Sequence, residues 1–215
     1  MKIECIYPEF TYKFAEQATI EILKRTCDTV ITHVDEEPKF ISDQDIKMVL
    51  VPPFDKAHFN KIVERLSNYK SDIEKSISRI LWVVLADSID IFSKNITYFG
   101  KEFTGLSILD VDIKTTGFEL VKQKASYKWE KIVGLHNKFR EYKIYNDKEY
   151  EEIISDSSKV VGFKYSRLKA IDMYGPLLLQ NPSYLKMLLN DNEFEVKELA
   201  FEENLKEIYV KRSLN

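Results

Sequence analysis

Apolar positions in the first hundred residues alternate between short runs and helix-spaced stripes. Ile3 to Tyr7 reads as a strand that Pro8 ends, and Phe14, Ala18, Ile22 and Leu23 then recur at helical spacing across residues 10–25. Thr29 to Val34 is a β-branched run and reads as a second strand, and Ile46 to Val51 as a third, stopped by Pro52-Pro53. Phe59, Ile62, Val63, Leu66, Tyr69, Ile73 and Ile77 stripe one face of a helix over 55–78. Ile80 to Ala86 is apolar throughout, as expected of a strand covered on both faces. Strand, helix, strand, twice over, predicts parallel pairing with right-handed crossovers.

Beyond residue 100 the pattern changes. Gly105 to Lys114 ends in an alternating strand, with Leu109, Val111 and Ile113 on one face and Asp110, Asp112 and Lys114 on the other. Thr115-Thr116-Gly117 reads as a hairpin turn with a left-handed glycine, returning through Phe118 to Gln123 and bringing Glu119 beside the acids. Trp129, Ile132, Val133, Leu135, His136 and Phe139 fit one face of a helix, as do Tyr150, Ile153 and Ile154 in the acidic stretch 147–156. Val160 to Tyr165 is a strand, and Ser166 a cap for a short helix ended by Gly175-Pro176. Asn181-Pro182 opens a further helix, Glu193 to Lys197 is a strand, and 202–212 a charged tail. The expected fold is α/β and three-layered, with a mixed sheet that is mostly parallel in its N-terminal half and carries an antiparallel hairpin in its C-terminal half. The change of character suggests a parallel α/β half over 1–99 and a mixed half over 100–215, or one continuous domain.

Composition narrows the class. The chain has 215 residues, 44% hydrophobic and 31% charged, with a formal net charge of −3, so it folds around a substantial core and has no global attraction for polyanions. Two unpaired-looking cysteines, Cys5 and Cys27, argue against a disulfide framework or a cysteine zinc site. The N-terminus has no apolar signal region, and no stretch approaches the ~20 apolar residues of a membrane span, so a cytoplasmic protein without membrane contact is expected. No glycine occurs before Gly100, which excludes a phosphate-cradling loop at the first strand–helix junction and with it a nucleotide cofactor of the familiar kinds.

Candidate chemistry centres on the charged end of the 105–114 strand. Carboxylates that face one another repel unless a cation lies between them, and Mg²⁺ prefers oxygen ligands. Asp90, or Asp87, with Asp112 would hold Mg²⁺, Asp110 or Glu119 would complete the shell, and Lys114 would position a water. This is the arrangement of a metal-dependent phosphodiesterase. The segment 122–145 holds seven basic residues against Glu130 and Glu141, a local charge of +5 that leaves −8 elsewhere. Its interleaved rings suit DNA or RNA, with Lys122, Lys124, Lys128, Lys131 and Arg140 as candidate phosphate contacts. The plainer alternatives are a solvated strand end for the acids and a solvated face for the lysines. Two further readings stand beside the nuclease. One is a non-enzymatic module that binds a protein partner. The other is a small-molecule enzyme with its site at the C-terminal ends of the first four strands, rimmed by the acidic 35–45 loop. His33, His58 and His136 have no metal-ligand spacing.

Overall fold

A computed structural model describes residues 1–11, 16–127, 130–174 and 177–194. Among these, seven strands form one mixed sheet. They are β1 Lys2–Ile6, β2 Asp28–Thr32, β3 Ile46–Val51, β4 Leu81–Leu85, β11 Tyr150–Ile154, β12 Val160–Tyr165 and β13 Leu168–Ile171. Their order across the sheet is β11-β12-β13-β4-β3-β1-β2. Pairing is parallel from β2 through β1, β3 and β4 to β13, and antiparallel from β13 through β12 to β11. The expected three-layer α/β architecture is therefore present.

The continuous apolar runs explain the centre of the sheet. Leu81 to Leu85 and Met48 to Val51 are all buried, because both faces are covered. On one side lie α1 (Glu16–Thr26), α5 (Leu177–Gln180) and α6 (Pro182–Asn190), joined to the sheet through Ile3, Ile22, Leu23, Met48, Val83, Leu178 and Leu188. On the other lie α2 (Phe59–Ser67) and α3 (Lys70–Ser76). There Trp82 meets Phe40 and Phe92 edge-on and donates its indole N–H to Ser76 Oγ at 3.0 Å. Alternation within β1 turns Glu4 to the interior. Its carboxylate accepts the Thr32 hydroxyl at 2.5 Å and the Lys39 and Phe40 amides at 2.7 Å, tethering the 35–45 loop.

A second, four-stranded sheet packs on the α2–α3 side. Its strands are β5 Asn95–Tyr98, β6 Lys101–Thr104, β7 Val111–Thr115 and β10 Arg140–Ile144, in the order β10-β7-β5-β6. Its buried residues Ile96, Val111 and Ile113 join the same core as Trp82. A separate hairpin, β8 (Leu120–Tyr127) with β9 (Glu130–Asn137), lies on the α5–α6 side.

Several expectations fail here. Within the 129–139 stretch, Glu130–Asn137 is a strand rather than a helix, because its apolar residues also satisfy a two-residue period when Ile132 and His136 turn inward. Trp129 lies outside the described residues. The acidic stretch 147–156 is a 3₁₀ turn, Asp147–Glu149, followed by β11 and a turn, not an α-helix. The strand β7 does alternate as expected, but it belongs to the smaller sheet and pairs with β5 and β10. No β7–β8 hairpin exists, and Gly117 is not left-handed; it is pressed against the Phe139 ring. Ser166 caps no helix but turns β12 into β13 at φ 53°. Asn181 sits at the helix start, yet its amide bonds the Val133 backbone and Leu177 O instead of the first turn of α6. Gly175-Pro176, the 193–197 strand beyond Phe194 and the 202–212 tail lie outside the described residues.

Candidate functional site

The chain reverses sharply where central strand β4 ends. Ala86 takes φ 47°, a left-handed conformation that costs a non-glycine residue about 1 kcal/mol or more, and the 3₁₀ turn Ala86–Ser88 leads into α4 (Ile89–Phe92). A strained strand-to-helix turn at the C-terminal end of a central strand is the place where α/β hydrolases hold a nucleophile. Here the residue is alanine, and its methyl group is buried. The hydroxyl two residues on, at Ser88, is also buried and donates to Pro52 O.

Around this turn lies a buried charge cluster drawn from distant segments. Arg140, the first residue of β10, is fully buried and donates to Asp90, to Asp87 Oδ1 at 3.4 Å and to Tyr142 Oη at 3.0 Å; its Nε lies 3.2 Å from Asp172 Oδ2. Asp90 also receives Lys56, whose ammonium rests 4.3 Å from the centre of the Phe59 ring. Tyr174 donates its hydroxyl to Asp87 Oδ1 at 2.7 Å. His136 Nε2 lies 3.0 Å from Asp172 Oδ2 but off the hydrogen-bonding line.

Three carboxylates thus share two permanent cations, and the proton balance follows. Burial pushes Asp87 up to about 6 against the pull of Arg140, with Asp90 adding to the rise. Burial also raises Asp172, but Arg140 and His136 outweigh it and hold that carboxyl below its usual range. Burial would lower Arg140, yet Asp90 and its neighbours keep it well above its ordinary value. Burial raises the Tyr174 hydroxyl, and the Asp87 charge raises it further. The arrangement is saturated with ion pairs and offers no activated nucleophile at the turn. Cys5 is buried inside β1 and Cys27 follows α1, and burial pushes both thiols up, away from the reactive thiolate.

The residues singled out in the sequence are scattered by this fold. Asp90 and Arg140 belong to the buried cluster, and Asp87 joins them. Asp112 lies on the smaller sheet, accepting Asn95 Nδ2 at 2.8 Å and the Tyr145 hydroxyl at 2.5 Å. Asp110 pairs with Lys94 at 3.2 Å, and Glu119 with Lys138. Lys114 is exposed between Glu141 and Thr97 in the sheet register. With Asp112, Asn95, Glu102 and Lys143 it lines an open groove of about 520 Å³. Lys122, Lys124 and Lys131 are exposed on the β8–β9 hairpin, and Lys128 lies outside the described residues. Asp43 in the acidic loop pairs with Lys2, at the start of β1 and so at the opposite end of that strand from the ligand-binding rim. Among the described residues no three His, Cys, Asp or Glu side chains gather so as to hold a metal ion. Lys56, Ala86, His136, Asp172 and Tyr174 carry no site signal in the sequence beyond the strand-to-turn position of Ala86-Asp87, which lacks the glycines that usually advertise such a bend.

No family model matches the chain, and no curated protein matches its sequence. Solved structures do resemble it. One is a glutamine amidotransferase, TM-score 0.64 at 12% identity, over 87% of this chain and 97% of that one. Another is a putative GMP synthase subunit from Thermoplasma acidophilum, 0.54 at 14%, over 87% and 97%. A third is a glutamine amidotransferase from Thermotoga maritima, 0.53 at 11%, over 100% and 94%. The fold is that of glutamine amidotransferases. The metal-dependent nuclease reading is thereby overturned: the structures it resembles include glutamine amidotransferases, and Asp90 and Asp112 are committed to different partners. No described helix is long and apolar enough to cross a membrane.

Proposed function

We propose an amidotransferase-like role in which this chain serves as one subunit of a larger assembly and does not itself cleave glutamine. The observation that carries the reading is Ala86 at φ 47°, where the fold bends to present a nucleophile. Displacing nitrogen from an amide by covalent catalysis needs an attacking atom with an adjacent base, and a methyl group supplies neither. The surrounding acids are held by Arg140, Lys56 and Tyr174, so none is poised to activate water. The Thermoplasma acidophilum neighbour is described as a subunit, which supports a role beside another protein.

The test is ammonia release from L-glutamine, followed through a coupled glutamate dehydrogenase assay on the purified chain. No release above the buffer rate is expected. Release that co-purifies with the chain and disappears in Cys27→Ser or Cys5→Ser overturns the reading, because a thiol would then be acting from elsewhere.

A further inference from the structure

The β8–β9 hairpin has two unlike faces. Register pairs Leu120 with Asn137, Lys122 with Leu135, Lys124 with Val133 and Ser126 with Lys131. The Lys138 amide donates to Glu119 O at 3.0 Å, which carries the same register one step further before the chain turns at Lys138 and Phe139. Alternation then separates the side chains. The inward set includes Ala125, Ile132 and His136, all buried. The outward set holds Phe118 and Leu135, and the turn residue Phe139 sets its ring against neighbouring Gly117; the three are exposed by 57, 38 and 39%. It also holds Lys122, Lys124 and Lys131, all exposed.

No carboxylate belongs to the hairpin's own outward set among the described residues. The apolar end is contiguous. Phe118 packs edge-on against Tyr174 at 6.0 Å, the Leu135 backbone exchanges hydrogen bonds with Tyr174, and the Phe139 ring abuts Gly117. Tyr174 is the residue that reaches Asp87 beside the β4 turn, so this end borders the silent site.

We propose that the outward face of the hairpin, Phe118, Leu135 and Phe139 continued by Lys122, Lys124 and Lys131, is the docking surface for a partner protein with an apolar centre edged by carboxylates. The proposal rests on the subunit reading above and names the chemistry of the missing partner. Exposed aromatic and leucine side chains in one patch are the composition of an interface centre, and lysines at one border select an acidic rim. A long polyanion is the poorer occupant. Removing the three lysine charges from the formal net charge of −3 leaves the rest of the chain at −6, which repels a nucleic acid or an anionic bilayer but not a local acidic patch.

The experiment uses the full chain, tagged at its N-terminus, to capture proteins from its native host. Each captured protein is then purified and titrated by calorimetry against wild type and variants of unchanged melting temperature. Capture alone counts for nothing. Support is a partner whose Kd weakens at least 100-fold with Leu135→Asp or Phe118→Ser and about 10-fold with Lys122→Glu plus Lys131→Glu. That loss must grow smaller at high salt, and Lys75→Glu on α3 must bind as wild type. A partner that binds all variants equally overturns the docking surface and leaves the subunit reading standing. Failure of any protein to bind overturns both. Binding only to DNA, RNA or phosphatidylglycerol vesicles overturns the choice of partner.

Discussion

Two regions of this molecule gather acids near lysine or arginine, and they behave in opposite ways. At the end of β4, Asp87, Asp90 and Asp172 are buried around Arg140 and Lys56. On the smaller sheet, Asp110, Asp112 and Lys114 face solvent beside Asn95, Lys94 and Tyr145. The buried group must be compensated by cations or by a bound proton, because an unmatched ion in the interior costs several kcal/mol. The surface group is screened by water and salt, so its members need no common partner. A cluster of charges in a sequence therefore marks chemistry only after burial is known.

The largest expected contrast comes from removing the shared cation. Arg140→Met leaves three buried carboxylates with Lys56 alone and should cost about 3–5 kcal/mol in chemical denaturation. A loss below about 1 kcal/mol would make the buried cluster no different from the surface one. Acid should separate the regions next. The folded-state value of Asp87 is raised, so its carboxyl binds its proton more readily in the folded chain than in the unfolded one. Its stabilising contribution is full below about pH 4 and lost as pH rises through about 6. Glu4, raised by burial, acts in the same direction. Asp172, whose value is lowered, works oppositely, and only below about pH 4. The unfolding free energy should therefore rise from pH 7 to pH 4 by roughly 2 kcal/mol, about 1 kcal/mol of it by pH 5, and Asp87→Asn should remove most of that slope.

A smaller effect tests how tightly the backbone near the β4 turn is enclosed. A methyl group at Gly105 would meet the carbonyl oxygens of Asp90, Ile91 and Ser93 inside van der Waals distance. Gly105→Ala should then destabilise by about 1–3 kcal/mol, against almost nothing for the open position Gly100 if its positive φ is kept with Gly100→Asn. The smallest effect belongs to the surface acids. Asp112→Ala and Lys114→Ala should each stay within about 0.5 kcal/mol of wild type. A larger loss at either would mean that the groove beside them carries an ion pair of structural weight.

The parallel half was legible because each strand is covered on both faces and must be apolar without interruption. Ile46 to Val51 was bounded correctly, and Leu81 to Leu85 to within a residue at each end. The C-terminal half was harder to read, since Trp129, Ile132, Val133, Leu135, His136 and Phe139 satisfy helical and strand periods alike, and only long-range pairing decides between them. His136 was placed in the core correctly, on the wrong element. The sequence points to both Asp90 and Arg140, but for separate tasks. Their ion pair spans fifty residues of chain, and nothing local announces it. Ala86 was invisible for a different reason. Its significance lies in a backbone angle, and alanine is among the residues least expected to adopt it.

The guanidinium of Arg140 is shared by the turn after β4, by α4 and by the segment after β13, while its own backbone belongs to the smaller sheet. None of these can depart by itself without stranding the others. Amide protons of β4, β10 and β13 should accordingly exchange with deuterated solvent as one slow class, with the exposed strand β6 released long before them. The smaller sheet would then be a latch with two positions only, engaged or unfolded.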